Sequence, residues 1–180
     1  MRTFAVIDPR FWTLLSRTGT EIRRAGLDVT ALALYLVTSP HSNALGVYYL
    51  PLAAASAELG VSLAEVRRLL EAVCATGFAQ YFETDSMIWI PEMARYQIGE
   101  SMKPRDHRRQ WALRELRKVE GTPAHGKFLE RYGEAYGLLP RLKPPVRLVP
   151  RGAGGEPPAG DRMAEARKLG ELLERSSHEP

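Results

Sequence analysis

Residues 51–90 carry the pattern that most restricts what this chain can fold into. Pro51 opens an alanine-rich run, Leu52 to Leu59, and Gly60 supplies a turn after it. Ser62 stands where a helix N-cap belongs, and Glu65, three residues on, completes a capping box. Val66, Leu69, Leu70 and Val73 then recur at i, i+3, i+4 and i+7, which is one buried stripe on a helix. Gly77 is placed to end that helix as its C′ glycine. Phe78 to Glu83 and Met87 to Ile90 are β-prone runs around the tight Thr84-Asp85-Ser86 turn, a hairpin.

Helix, glycine turn, helix and hairpin in that order predict an α+β fold, a winged helix-turn-helix domain with a small antiparallel β hairpin, extended by C-terminal helices. The flanks agree with it. Thr3 to Ile7 is β-prone. Asp8-Pro9 reads as an N-cap and first helical position, opening a short helix through Phe11, Trp12 and Leu15. Asp28 is expected to cap a helix buried through Leu32, Leu34, Tyr35 and Leu36, which ends at Thr38-Ser39-Pro40 because proline disfavours helix in the residue before it. Leu45 to Leu50 reads as a short strand. These elements place the winged-helix domain at 1–100 and a basic helical extension at 101–138. Residues 139–160 are dense in Pro and Gly and read as a linker. In 161–180, Asp161 caps a short helix to about Arg175 that carries Met163, Ala166, Leu169 and Leu173 on one face, with a tail after it.

Charge narrows the search for a site. The formal net charge is +4, but residues 1–100 hold eight Lys/Arg against ten Asp/Glu, whereas 101–120 hold seven against three and 141–152 hold four against none. Binding of phosphate is therefore expected from the segment just after residue 100 or from the later linker. Lys103, Arg105, His107, Arg108, Arg109, Arg114, Arg117 and Lys118 are assigned to one helix with Trp111, Leu113 and Leu116, and such a cluster is an electrostatic footprint for nucleic acid. A solvated face, with pairs such as Asp106 and Gln110, is the plainer alternative. On the capped helix, the side away from the stripe bears Ala64, Arg67, Arg68, Glu71, Ala72 and Ala75. Two arginines among small side chains suit a DNA groove, where guanidinium reaches phosphates or guanine edges. The candidate DNA-binding residues are therefore Ser62, Ala64, Arg67, Arg68, Lys103, Arg105, Arg108, Arg109 and Arg114; a solubilising surface pair remains the alternative for Arg67 and Arg68, whose field Glu65 and Glu71 partly cancel.

Other chemistry finds little support. Cys74 is the single cysteine, so neither an internal disulfide nor a multi-thiolate metal site is available, and a reducing compartment fits best. It is assigned to helix packing. Trp12, Trp89 and Trp111 are assigned to the core, and His41 to a turn after Pro40. No Walker loop, dinucleotide fingerprint or HExxH occurs. The expectation is a binding protein without cofactor or metal, and not an enzyme. The first residues lack a signal-peptide pattern and the longest apolar stretch, Ala31 to Val37, is too short to span a bilayer, so a cytoplasmic protein with no membrane partner is expected.

The run from Tyr35 to Leu52, Tyr-Leu-Val-Thr-Ser-Pro-His-Ser-Asn-Ala-Leu-Gly-Val-Tyr-Tyr-Leu-Pro-Leu, resembles the core signature of bacteriophage replication-initiator, or replisome-organiser, winged-helix proteins. So do Phe11-Trp12 before it, Ile88-Trp89-Ile90-Pro91 after it, and Met93-Ala94-Arg95-Tyr96 beyond that. The likeness covers roughly residues 3–137. It implies binding of double-stranded DNA at an origin by the winged helix, in the cytoplasm of a bacterial host, and recruitment of a replicative helicase or its loader through C-terminal parts. Two features depart from the pattern: the wing tip, Glu83-Thr84-Asp85-Ser86, is acidic, and the tail after the linker is short. Protein-interaction adaptor and transcriptional repressor remain the alternatives, and self-association is left open.

Overall fold

The computed structural model describes residues 4–13 and 16–139. The chain divides into two units, residues 1–141 and 142–180, and the described residues all belong to the first. The linker expected from residue 139, beyond Leu139 itself, and the terminal helix expected in 161–180 lie outside the described residues, as do Thr3 and Leu15.

The first unit is α+β. Among the described residues it has seven α-helices and one three-stranded antiparallel sheet. No strand forms at Phe4 to Ile7. That segment is instead held by a side-chain amide: Val6 N–H donates to Gln97 Oε1 at 3.1 Å and Gln97 Nε2 donates to the Val6 carbonyl at 2.7 Å. Asp8 does cap the next element, accepting from the Arg10 N–H at 2.8 Å, but the element is a 3-10 turn, Pro9–Trp12.

Helix α1, Arg17–Ala25, has one large apolar side chain, Ile22, so no apolar stripe at i, i+3 and i+4 announces it. A cap starts it, with Ser16 Oγ accepting from Gly19 N–H at 3.0 Å. Helix α2 spans Leu27–Thr38. Its cap is Gly26 and not Asp28, which lies in the first turn. Gly26, at φ +121, breaks α1 from α2 within one residue, so no position remains for a separate capping side chain. Leu32 and Leu36 are fully buried, whereas Leu34 and Tyr35 are half-buried at the margin. The helix ends at Thr38, as the Ser39-Pro40 pair requires.

The central pattern forms as its residues dictate. Strand β1 is Val47–Tyr49, helix α3 is Leu52–Leu59 and helix α4 is Leu63–Ala75. Gly60 between the helices is left-handed at φ +68. Ser62 Oγ accepts from Glu65 N–H at 3.2 Å, while the Glu65 carboxylate turns to Arg68. Val66, Leu69, Leu70 and Val73 are the buried residues of α4. Each such side chain contributes on the order of 1.5–3 kcal/mol through removal of apolar surface from water. Strands β2, Gln80–Phe82, and β3, Met87–Trp89, form the hairpin, joined by a 3-10 turn at Glu83–Asp85.

The strand order is β1-β3-β2, with Tyr48 opposite Ile88 and Tyr81 opposite Ile88. Pleat alternation sends side chains to two cores. Tyr48 and Ile88, with Leu50 and Ile90 beyond the strands, join residues of α1 to α4 in one. Val47, Met87 and Trp89 join the other, with Met102, Ala112, Leu116, Phe128, Tyr132 and Tyr136. Helices α5, Met93–Gln97, α6, Arg108–Arg117, and α7, Pro123–Tyr132, come after the sheet in the chain. Thus 101–138 does not trail from the first hundred residues; it covers the second face of their sheet. Tyr132 and Tyr136 seal the join by donating to the carbonyls of Pro91 at 2.7 Å and Gly99 at 2.6 Å.

The open edge of β1 is guarded by one side chain. Asn43 Nδ2 donates to the Val47 carbonyl at 2.6 Å, and Asn43 Oδ1 accepts from Leu45 N–H at 3.0 Å and Val47 N–H at 3.4 Å. The amide stands in for a neighbouring strand.

Candidate nucleic-acid interface

Because α4 buries one stripe, its opposite side is free. Ser62, Ala64, Arg67, Arg68, Glu71 and Ala75 are exposed and Ala72 is half-buried. Ser62 Oγ is already an acceptor in the cap and keeps its proton and its second lone pair for a partner. The two guanidiniums are paired. Arg68 engages Glu65 through Nε to Oε2 at 2.9 Å and Nη2 to Oε1 at 2.5 Å, which holds the Glu65 carboxyl below the usual carboxylate range. Arg67 Nη1 meets Glu83 Oε1 at 2.7 Å, joining α4 to the hairpin. Both pairs are solvent-exposed, so salt and competing phosphates open them readily.

The hairpin is short. Its tip is the 3-10 turn Glu83–Asp85, closed by Ser86 in the left-handed region at φ +50. Glu83 and Asp85 are both exposed there; Arg67 matches Glu83, whereas Asp85 has no cationic partner among the described residues and disfavours a phosphate close to it.

The downstream cations do not share one helix. Helix α6 begins at Arg108, and Lys103 and Arg105 lie before it, where Pro104 sits in a turn. Asp106 organises that turn. It accepts from the Arg108 N–H at 2.9 Å and binds the Arg108 guanidinium, Nη2 to Oδ2 at 2.7 Å; these bonds push its carboxyl down to about 2. Asp106 therefore pairs with Arg108 and not with Gln110. Arg108 also donates to the Ile98 carbonyl at 3.1 Å. Arg109 is half-buried, donating to the carbonyls of Pro104 at 2.8 Å and of Gly137. Arg108 and Arg109 thus tie the 98–109 segment and the Gly137 turn together. Lys103, Arg105, Arg114 and Arg117 are exposed and have no acidic partner among the described residues.

The structure therefore brings Ser62, Ala64, Arg67 and Arg68 together on α4. It places the 103–117 cations with the layer on the other face of the sheet. Of the tryptophans, Trp89 is buried and Trp111 half-buried, but Trp12 is 55% exposed: the short turn that carries it has no buried residue, and Trp12 meets the edge of Phe11. Cys74 is half-buried within the packing of α4, and burial pushes its thiol pKa up.

Sequence reasoning missed Glu58. Its carboxylate accepts from Tyr35 Oη at 2.8 Å and lies 2.9 Å from His41 Nε2, which links α2, the following turn and α3. The hydrogen bond from Tyr35 lowers the Glu58 pKa, and His41 adds to it. Seventeen residues separate His41 from Glu58, a spacing no local motif would reveal. A second feature missed is a groove lined by His41, Asn43, Tyr49, Asp85, Trp111 and Lys118, where Tyr49 is 58% exposed.

Among the described residues no group of three or more His, Cys, Asp or Glu side chains is placed to hold a metal ion. Among them, too, no helix is long and apolar enough to cross a membrane. Comparison with known proteins returned no matching family model, curated protein or solved structure.

Proposed function

We propose that residues 27–90 form a winged helix and that the chain binds duplex DNA through it, in the manner of phage replication initiators. The element order α2, β1, α3, α4, β2, β3 and the strand order β1-β3-β2 are compatible with that arrangement. The observation that carries the reading is the outer side of α4. Arg67 and Arg68 stand exposed between Ala64 and Ala75 on a helix whose pose is fixed by four buried side chains. Small neighbours let the helix approach a major groove, and the guanidiniums reach phosphate or guanine edges once Glu65 and Glu83 are displaced. Ser62 and Ala64 lie at the helix N-terminus, next to the backbone being docked. The role at an origin, and the recruitment of a helicase or loader, rest on the Tyr35–Leu52 signature.

Fluorescence-anisotropy titration against a panel of duplexes tests this. The wild type is expected to bind more tightly as salt falls and to prefer some sequences, and Arg67→Ala with Arg68→Ala is expected to erase the preference. Footprints within a repeat array of a replication gene support initiation; footprints on a promoter support repression. Absence of binding even at low salt rejects the reading.

A second reading is favoured by the same ion pairs. With Arg67 and Arg68 matched by Glu83 and Glu65, the α4 face carries balanced charge, which suits a protein partner in an adaptor. Capture of a replication protein without DNA binding supports it.

A further inference from the structure

We infer that the phosphate grip of this chain lies on α6, across the sheet from α4, and that its outer stripe, His107, Gln110, Arg114 and Arg117, with Lys103 and Arg105 at its head, contacts a nucleic-acid backbone. This rests on the DNA-binding reading and deepens it. Two observations carry the inference. The first is pairing. Arg67 and Arg68 on α4 are held by carboxylates, whereas Lys103, Arg105, Arg114 and Arg117 are exposed and free of acidic partners among the described residues. The nearby acids are mostly engaged elsewhere: Asp106 by Arg108 and Glu115 by Lys118. Beyond the helix end, Glu120 and Glu134 are the exposed carboxylates without a partner among the described residues. A cation that need not break an ion pair gives up less when a phosphate arrives.

The second is register. Positions 107, 110, 114 and 117 fall at i, i+3, i+7 and i+10, one side of a 3.6-residue helix. Ala112 and Leu116 face the core from the other side, and Trp111 and Leu113 are half-buried at the flanks. The stripe is therefore a row of polar and cationic side chains with no apolar member. Packing fixes the row in place, since α6 is anchored through Leu116, and Arg108 and Arg109 clamp its start. The stripe suits phosphodiester chemistry, because it offers charge and hydrogen-bond donors to a backbone. Cations at the end of α6 also complement the helix dipole, a role that affects stability but leaves salt dependence of DNA binding untouched.

The test compares salt slopes of a full-length duplex titration, with heparin retention as a second polyanion. The variant Lys103→Gln/Arg105→Gln/Arg114→Gln/Arg117→Gln is set beside Arg67→Gln/Arg68→Gln, and circular dichroism checks both for folding. Each phosphate no longer neutralised takes about 0.9 off the slope of log K against log salt, so the α6 variant is expected to lose about 3 to 4 and to leave heparin early. The α4 variant is expected to keep its slope within about 1 while losing sequence preference. Should the fourfold variant fail to fold, Arg114→Gln/Arg117→Gln alone is expected to lose about 2. An unchanged slope in the α6 variants, with duplex binding intact, overturns the inference and leaves the function standing. Heparin retention that depends on α6 without any duplex binding overturns the function and leaves a polyanion site. Absence of both kinds of binding overturns both.

Discussion

Replacing Gly46 by alanine separates two costs that the structure places at one residue. Gly46 is left-handed, at φ +73, where a Cβ is strained. A Cβ built there would also lie 2.7 Å from Met93 Cβ and 2.8 Å from the Ile90 carbonyl oxygen. Neither neighbour moves cheaply. Met93 is 3% exposed, and Ile90 is tied to Gly46 itself by the 2.8 Å bond from its N–H to the Gly46 carbonyl. Gly60→Ala provides the reference, because that glycine is also left-handed, at φ +68, but an added Cβ meets nothing within 4 Å. Left-handed strain costs roughly 1–2 kcal/mol, and a stiffer unfolded chain returns about 0.4–1 of it. Gly60→Ala is thus expected to cost about 1 kcal/mol. Gly46→Ala adds an overpacking cost of roughly 1–3 kcal/mol, for a total of about 2–4. Urea unfolding followed by circular dichroism would measure both variants. If Gly46→Ala cost no more than Gly60→Ala, the close approach of the β1 turn to α5 would be refuted.

Two further perturbations concern single side chains. Asn43→Ala strips the guard from β1 and leaves the Val47 carbonyl and N–H without their side-chain partner; a loss of roughly 1–2 kcal/mol is expected in the same unfolding assay, and a loss below about 0.3 would mean the edge needs no cover. Asp106 tests pH dependence. Its carboxyl is held down to about 2 by Arg108, so its folded pKa is depressed and its stabilising effect is complete above the unfolded value near 4. That effect is lost as pH falls through the interval from about 4 to about 2, and Asp106→Asn is expected to flatten this part of the stability curve; an unchanged acid limb would exclude Asp106 as its source.

Local signals accounted for the elements whose boundaries depend on their own residues. Ser62, the stripe from Val66 to Val73 and Gly77 specify α4 because a cap, a period and a left-handed stop act within a few residues of each other. The Thr38-Ser39-Pro40 stop and the turn at Gly60 were legible for the same reason. The failures also have causes. Helix α1 has Ile22 as its one large apolar side chain and so no apolar stripe, and the gap between α1 and α2 is a single glycine, which displaced Asp28 from the cap. The stretch Phe4 to Ile7 has β propensity but finds a glutamine amide in place of a strand, since pairing needs a partner that sequence alone does not supply.

For the site, the exposed side of α4 could be written down from residue spacing, because a buried stripe leaves its opposite side exposed wherever the helix is placed. The state of each charge could not. That Arg67 meets Glu83, that Arg109 folds onto Gly137 and that Glu58 joins Tyr35 and His41 depends on contacts between residues 16 to 28 apart. The amino-acid order by itself determined the helix–turn–helix–hairpin and which sides of its helices are apolar, because caps, periods and glycine turns act over one or two turns of chain. Only the tertiary structure decided that the sheet is buried on both faces, that α4 and α6 belong to different layers, and which cations remain free, because those facts arise from closing long loops and from through-space pairing, where sequence distance carries no information.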